Sequence, residues 1–207
     1  MGACFKPYYI RVEPEKYLEY VRGVDAISRY WAADDWNEVL IEDVERQLQP
    51  STKSKTVKLI LSAIQNEQTV SILYHSNYDK LYRTLSPHHL VYVNHRYHVR
   101  AYCHLEKGFL DFTLARMKTI STSTLAWQPA SDDDEWHQYL QLCFRINPAL
   151  PEVVQSMLKI DYQLRGYEHC ICTRKALAFY IVRVMEQRHW KHKIPLWQRH
   201  SEDFESN

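Results

Sequence analysis

The stretch RTLSPHHLVYVNHRYHVRAYCHLEKGFLDFTLARMKTI, residues 83–120, sets five histidines and a series of arginines on segments that alternate as β-strands do. In RYHVRAYC the residues Tyr97, Val99, Ala101 and Cys103 share one strand face and His98, Arg100 and Tyr102 share the other, because successive side chains point to opposite sides. The first set reads as core and the second as a site. Tyr74 and Ser76 fall on one face of TVSILYHS, and Arg116 ends FLDFTLARM. Closure of these strands would gather Tyr74, Ser76, His98, Arg100 and Arg116 into one concavity. Guanidinium groups donate paired hydrogen bonds to phosphate or carboxylate, hydroxyls add neutral donors, and aromatic rings stack on a base. The chemistry that fits is recognition of an anion. His89 and His95 are placed at turns and carry no assigned role.

Other chemistries are less well supplied. A nucleophile needs a base and an orienting group within hydrogen-bond reach, and Ser76 with His98 is the one pair that can be nominated. The sequence contains no nucleophile elbow, phosphate-binding loop or dinucleotide fingerprint, so enzyme activity is not expected. HCIC at 169–172 and HWKH at 189–192 raise the question of a metal. Cys170 and Cys172 share a strand face, but C-x-C beside one histidine is not a structural zinc spacing, and no metal or cofactor is expected. The cysteines Cys4, Cys103, Cys143, Cys170 and Cys172 are odd in number and form no disulfide-rich pattern; free thiols are expected.

The chain that must position these groups has 207 residues, 45% of them apolar, enough for a sizeable core. Its 26 basic and 25 acidic residues leave a net charge of +1, so no global field draws it to nucleic acid or a membrane surface. No apolar run approaches the roughly 20 residues of a membrane span, and MGACFKPYYIRV lacks the segments of a signal peptide. No membrane partner and a cytoplasmic location are expected. PEKYLEYVRGVDAI predicts a short helix with Tyr17, Leu18, Val21 and Val24 on one side. The segment ending at Pro50 reads as a connecting arm without a basic recognition helix.

STKSKTVKLILSAIQNEQ predicts a helix, with Ser and Thr as cap candidates and Val57, Ile60, Leu61 and Ile64 as its apolar stripe. Five strands follow, around TVSILYHS, YRTLSPHHLVYV, RYHVRAYCH, FLDFTLARM and TISTSTLAW, with turns at NH and EKG. Their number and brevity predict a small, partly closed five-stranded β-barrel of the SH3 or Sm kind. The acidic run SDDDE marks a junction. Beyond it, WHQYLQLCFRI and HCICT read as strands, and NPALPEVVQSMLKID and RKALAFYIVRVMEQRHW as helices, the former with Val153, Met157 and Ile160 as its buried side. That order predicts an open sheet with helices on one face. The tail KHKIPLWQRHSEDFESN is polar, anchored by Trp197, and its last residues are expected to fray. The fold class is α+β, divided into a connecting arm (1–52), a barrel (53–128) and a C-terminal α/β domain (129–207).

Residues 60–125 resemble the WYL domain of bacterial transcription regulators: RYHVRAYC stands where that family has its Trp-Tyr-Leu signature, and FTLARM where it has a strand ending in an arginine motif. Pro87-His88-His89-Leu90 and the strand Arg96–Tyr102 are most similar to WYL repressors beside phage-defence islands of the BREX and CBASS kinds. DDEWHQYLQLCFRINPALP, KIDYQL and TRKALAFYIVRVM resemble that group's dimerisation module, and FKPYYIRVEPEKYLEYV the segment after its DNA-binding domain. Tyr97 replaces the signature's Trp and His98 its Tyr. The resemblance implies a ligand-sensing, homodimeric unit and adds His88 to a site of Tyr74, Ser76, His88, His98, Arg100 and Arg116 for a nucleotide or oligonucleotide-like anion. Operator DNA would be met only through an upstream winged-helix domain that the 207 residues do not contain. The alternatives are a single-stranded nucleic-acid adaptor without regulatory output and, less supported, a hydrolase or nuclease.

Overall fold

The structure, a computed structural model, describes residues 48, 50 and 52–204. The helix expected at PEKYLEYVRGVDAI and the arm leading to Pro50 fall mainly outside the described residues. Two compact units are present, the first ending at Gln128 and the second beginning at Pro129.

In the first unit, helix α1 (Ser54–Gln65) packs Val57, Ile60 and Ala63 into a core with Leu61 and Ile64 beside them. Its N-cap position is Lys53, without a side-chain cap, so the Ser and Thr cap candidates are not used. Strands β1 (Val70–His75), β2 (Lys80–Val93), β3 (Arg96–Cys103), β4 (Gly108–Thr113) and β5 (Met117–Thr122) form an antiparallel sheet in the order β4-β3-β2-β1-β5. Asn94 and His95 take φ of 48° and 59°, the left-handed pair that a two-residue hairpin turn requires, and Asn tolerates that region well.

Strands β4 and β5 lie at opposite edges of the sheet, yet only the 3-10 turn Leu114–Arg116 joins them. A three-residue link spans little distance, so the sheet must curl until its edges approach. Among the described residues no ladder joins β4 to β5, so the expected barrel is corrected to a curled, open sheet. The turn also ends β4 at Thr113, so Arg116 lies outside that strand. The last strand likewise stops at Thr122, short of the run through Trp127 expected from TISTSTLAW.

The inner face carries Val70, Ile72, Tyr74, Leu85, Tyr97, Val99, Ala101, Cys103 and Phe112, the alternation expected on RYHVRAYC. Arg83 is buried at the rim of this core. Its Nη1 donates to Glu106 Oε1 at 2.7 Å and lies 3.8 Å from Cys103 Sγ, while Nη2 reaches Asp79 Oδ2 at 3.2 Å. Burial works against its charge, but Glu106, Cys103 and Asp79 outweigh that and hold its pKa above the usual value. The arginine therefore staples the β1–β2 and β3–β4 turns together.

After a 3-10 turn at Ala130–Asp132 the second unit forms a short helix, α2 (Asp134–His137), where a strand had been expected to begin; the Asp133 carboxylate accepts Trp136 N–H and caps it. Strand β6 (Tyr139–Ile146) is central in an antiparallel sheet ordered β7-β6-β8, with β7 at Glu168–Arg174 and β8 at Trp197–Phe204. The polar tail thus supplies an edge strand, Trp197–Phe204, held by backbone pairing to β6, while the last residues, 205–207, where fraying was expected, lie outside the described residues. Helices α3 (Glu152–Asp161) and α4 (Lys175–Met185) supply Leu158, Val154, Ala178, Ile181, Val182 and Met185 to a core with Leu140, Leu142, Phe144 and Trp197.

Two expectations fail here. Helix α3 turns Val154 and Leu158 inward and leaves Val153 and Ile160 81% and 76% exposed, with Met157 also exposed; adjacent apolar stripes were available and packing chose the other. Cys143 and Cys170 stand directly opposite on β6 and β7 and form a disulfide, while Cys103 and Cys172 remain thiols. Register decides that pairing, and spacing along the chain does not reveal register. The bridge closes a separation of 27 residues, for which chain entropy gives about 3.5 kcal/mol. Oxidised protein should therefore lose about that much stability when a reductant is added to a urea titration, and Cys143→Ser with Cys170→Ser should abolish the reductant dependence.

Candidate functional site

The outer face of the curled sheet is built from three cross-strand rows, because residues directly opposite in register share a side. They are Val91–His98–Thr113, His89–Arg100–Asp111 and Ser86–Tyr102–Phe109. The β2–β3 register shifts between Pro87 and His89, which makes His88 the extra residue of a bulge. His89 accordingly lies in strand β2 opposite Arg100 and not in the turn expected for it, whereas His95 does occupy a turn.

The bulge presses His88 into an aromatic group. Its ring centroid is 4.7 Å from Trp127, 5.6 Å from Phe109 and 6.4 Å from His89. Tyr102 meets Phe109 at 5.3 Å and His104 at 5.2 Å, both edge-on. The fully buried Ser86 hydroxyl accepts Gln128 N–H at 3.1 Å and lies 3.0 Å from His104 Nε2. Burial pushes the His104 pKa down, favouring the neutral imidazole beside the hydroxyl.

Arg100 is only 4% exposed, and its Nη1 lies 3.6 Å from Asp111 Oδ1 in the same row. The guanidinium read from the sequence as an open anion donor is thus set against an internal carboxylate. His98 lies one row away, its Nδ1 3.5 Å from Thr113 Oγ1. Burial first, then the positive charges of Arg96 and Arg116, push its pKa down to about 4. Arg96 is exposed and Arg116 half-buried, and among the described residues neither forms an ion pair with a carboxylate. Two guanidinium groups flanking a neutral imidazole make a locally positive rim.

Tyr74 and Ser76 do not join this group. Tyr74 is on the inner face, where its hydroxyl accepts Thr113 N–H at 3.1 Å and its ring meets Phe112 edge-on at 5.1 Å. It links β1 across the core to edge strand β4. Ser76 shapes the β1–β2 turn: its hydroxyl donates to Asp79 Oδ1 at 2.7 Å and accepts Tyr78 N–H and Asp79 N–H at 3.0 and 2.8 Å. Of the residues expected together, the structure keeps His88, His98 and Arg100 on one face with Arg116 near His98.

Sequence reasoning missed Arg96, Asp111, Trp127 and Arg83. The tight HLEKG turn carried the signal for Asp111, since counting back from it sets Asp111 opposite Arg100. For Trp127 and Arg83 the strand pattern holds no such signal. At 169–172 and 189–192, no group of three or more metal-ligating side chains occurs among the described residues.

The WYL domain family profile matches residues 55–122, so that segment of the chain is a WYL domain. Its relatives include proteins named DNA-binding transcriptional repressor CapW. That of Pseudomonas aeruginosa is 33% identical over 128 residues, covering 61% of this chain and 43% of the relative. That of Escherichia coli strain KTE188 is 31% identical over 129 residues with the same coverage, and that of Stenotrophomonas maltophilia is 24% identical over 188 residues, 86% of this chain and 61% of the relative. The chain thus spans 43% to 61% of the length of these relatives. Among solved structures, proteasome accessory factor B/C of Arthrobacter aurescens aligns over 47% of this chain and 17% of its own, at 19% identity and a TM-score of 0.36, too distant to argue from.

Two outcomes test the electrostatics. Arg100→Ala should cost about 3 kcal/mol in urea unfolding, because Asp111 keeps its buried charge, and the Arg100→Ala, Asp111→Ala double variant should lose much less than the sum. Additive losses would remove the pairing. For His98, the unfolded chain takes up a proton near pH 6.5 while the folded imidazole stays neutral to about pH 4. The unfolded state therefore binds more protons in that window, so stability falls as the pH drops from about 6.5 to about 4. In thermal unfolding across that range, His98→Gln should flatten the slope.

Proposed function

We propose that this chain is the ligand-sensing and dimerising part of a WYL-type transcriptional repressor, acting in the cytoplasm on a phage-defence operon. Its ligand is a nucleotide or a short oligonucleotide. The observation that carries the reading is the pair Arg96 and Arg116 flanking the partly buried His98 on an outer face that also holds His88 and the Arg100–Asp111 pair. A phosphate bound by the two guanidinium groups would offset the positive field that, after burial, disfavours protonated His98, and so would move the imidazole's pKa upward. The His88, Phe109 and Trp127 rings support stacking of a base. Tyr74 and Ser76 serve the site by shaping the sheet and turn behind it.

The repressor relatives support a regulatory output. Operator contact belongs to an upstream winged-helix domain. Exposed apolar residues support a homodimer through the second unit: α3 exposes Val153, Met157 and Ile160 between Glu152 and Asp161, while α4 exposes Phe179 beside Arg183. Ligand binding then biases the dimer geometry and with it the spacing of DNA-binding domains over two half-sites.

Titrating the chain with mononucleotides and di- to tetranucleotides by calorimetry tests the proposal. Wild type should bind, and Arg96→Ala with Arg116→Ala should weaken binding at least tenfold without lowering the melting temperature. His98 ring signals in NMR should show the imidazole titrating at higher pH in the complex. Unchanged affinity in the arginine variant would remove the site.

A further inference from the structure

After α4 ends at Met185, the chain makes a compact loop before β8. Arg188 bridges Pro195, His189 N–H donates to Ile194 O at 2.8 Å, and Lys193 N–H donates back to His189 O at 2.8 Å. Leu196 N–H closes the base onto Gln187 O at 2.8 Å. His192 N–H donates to His189 Nδ1 at 3.2 Å, and the two imidazoles stack at 4.8 Å. Lys193 holds a left-handed φ of 57° to complete the turn. The loop is therefore shaped in advance by its own backbone.

Its surface has an unusual composition. Trp190 is 76% exposed, and Arg188, Lys191, His192 and Lys193 around it are exposed too. No carboxylate lies between Glu186 and Glu202, and by strand register Glu202 stands opposite Leu142 while Trp197, nearest the loop, stands opposite Ile146. Glu202 is thus roughly 16 Å along β8 from its loop end, and Glu186 caps α4 at the other end of the loop. With a net charge of +1 for the whole chain, this is a local concentration of cations.

A large exposed ring gains by burial, but an apolar protein surface laid over it would strip water from four neighbouring cations or imidazoles without replacing it. The partner must offer a flat π-face and several anions together. A single nucleic-acid strand does so, since its bases are open to stacking and each linkage carries a phosphate; in a duplex the base faces are hidden. We propose that the loop Arg188–Lys193 is a contact site for single-stranded nucleic acid, with Trp190 stacked on a base and Arg188, Lys191 and Lys193 on phosphates. It is independent of the sheet face assigned above.

Fluorescence anisotropy of a labelled twelve-nucleotide oligothymidylate tests this in the full chain carrying Arg96→Ala and Arg116→Ala, which silences the first site. Trp190→Ala should weaken binding about tenfold, within the range of one lost base stack, and Trp190→Phe should recover most of it. Replacing Arg188, Lys191 and Lys193 together by alanine should flatten the dependence of log K on log salt by about 2, three phosphates at roughly 0.7 each. The Trp190 effect should vanish on a duplex of the same length. Wild-type affinity in these variants overturns the proposal. So does oligonucleotide binding lost through the arginine background alone, or binding to anionic phosphatidylglycerol vesicles without binding to the strand.

Discussion

Three residues, Leu114–Arg116, must carry the chain from one edge of a five-stranded sheet to the other. That constraint curls the sheet, and most of the first unit follows from it. A curled sheet has a closed inner face, filled here by α1 and the apolar side of β3, and an outer face on which neighbouring strands bring three rows of polar and aromatic side chains together. The curl also explains Tyr74. With β4 and β5 unpaired to each other, the Thr113 amide at an edge finds its acceptor in a hydroxyl sent across the core from β1. A buried amide without a partner would be costly, so a tyrosine serves there where phenylalanine would not.

The same geometry places a positive rim beside a charge pair that is already satisfied. Arg116 leaves the link next to His98, and Arg96 begins the strand that holds it. One row further in, Arg100 and Asp111 are deeply placed and set opposite one another, which fixes register at the cost of desolvating two charges. The difference is physical: the buried arginine is engaged within the sheet, whereas Arg96 is exposed and Arg116 half-buried, and among the described residues neither forms an ion pair with a carboxylate.

Much of the fold was legible. The apolar stripe of α1, the alternation along β3 and the Asn-His hairpin turn all come from local periodicity and local backbone preference. The site was legible only in part. His98, Arg100 and Arg116 could be named from residue type and strand face, but Arg100's engagement with Asp111 depends on a neighbouring strand. Tyr74 and Ser76 looked like site residues because hydroxyls on a strand carry no mark of which side is core. Helix α3 presents the same ambiguity in helical form: Val153, Met157 and Ile160 compete with Val154 and Leu158 for the inward side, and hydrophobicity alone does not rank them.

By itself the sequence determined most of the helix and strand types, the alternating faces and the presence of histidine and arginine among them, because these depend on contacts a few residues apart. Tertiary structure decided what depends on register and packing across long separations. It decided that Cys143 meets Cys170, that the polar tail joins β6 as an edge strand, and that the sheet stays open. It also decided that Trp127 covers His88 and that an acid occupies Arg100. A one-residue slip in a ladder would exchange the faces of its strand and change the pairings made there, and outside the tight hairpin turns nothing local in the chain encodes which slip is excluded.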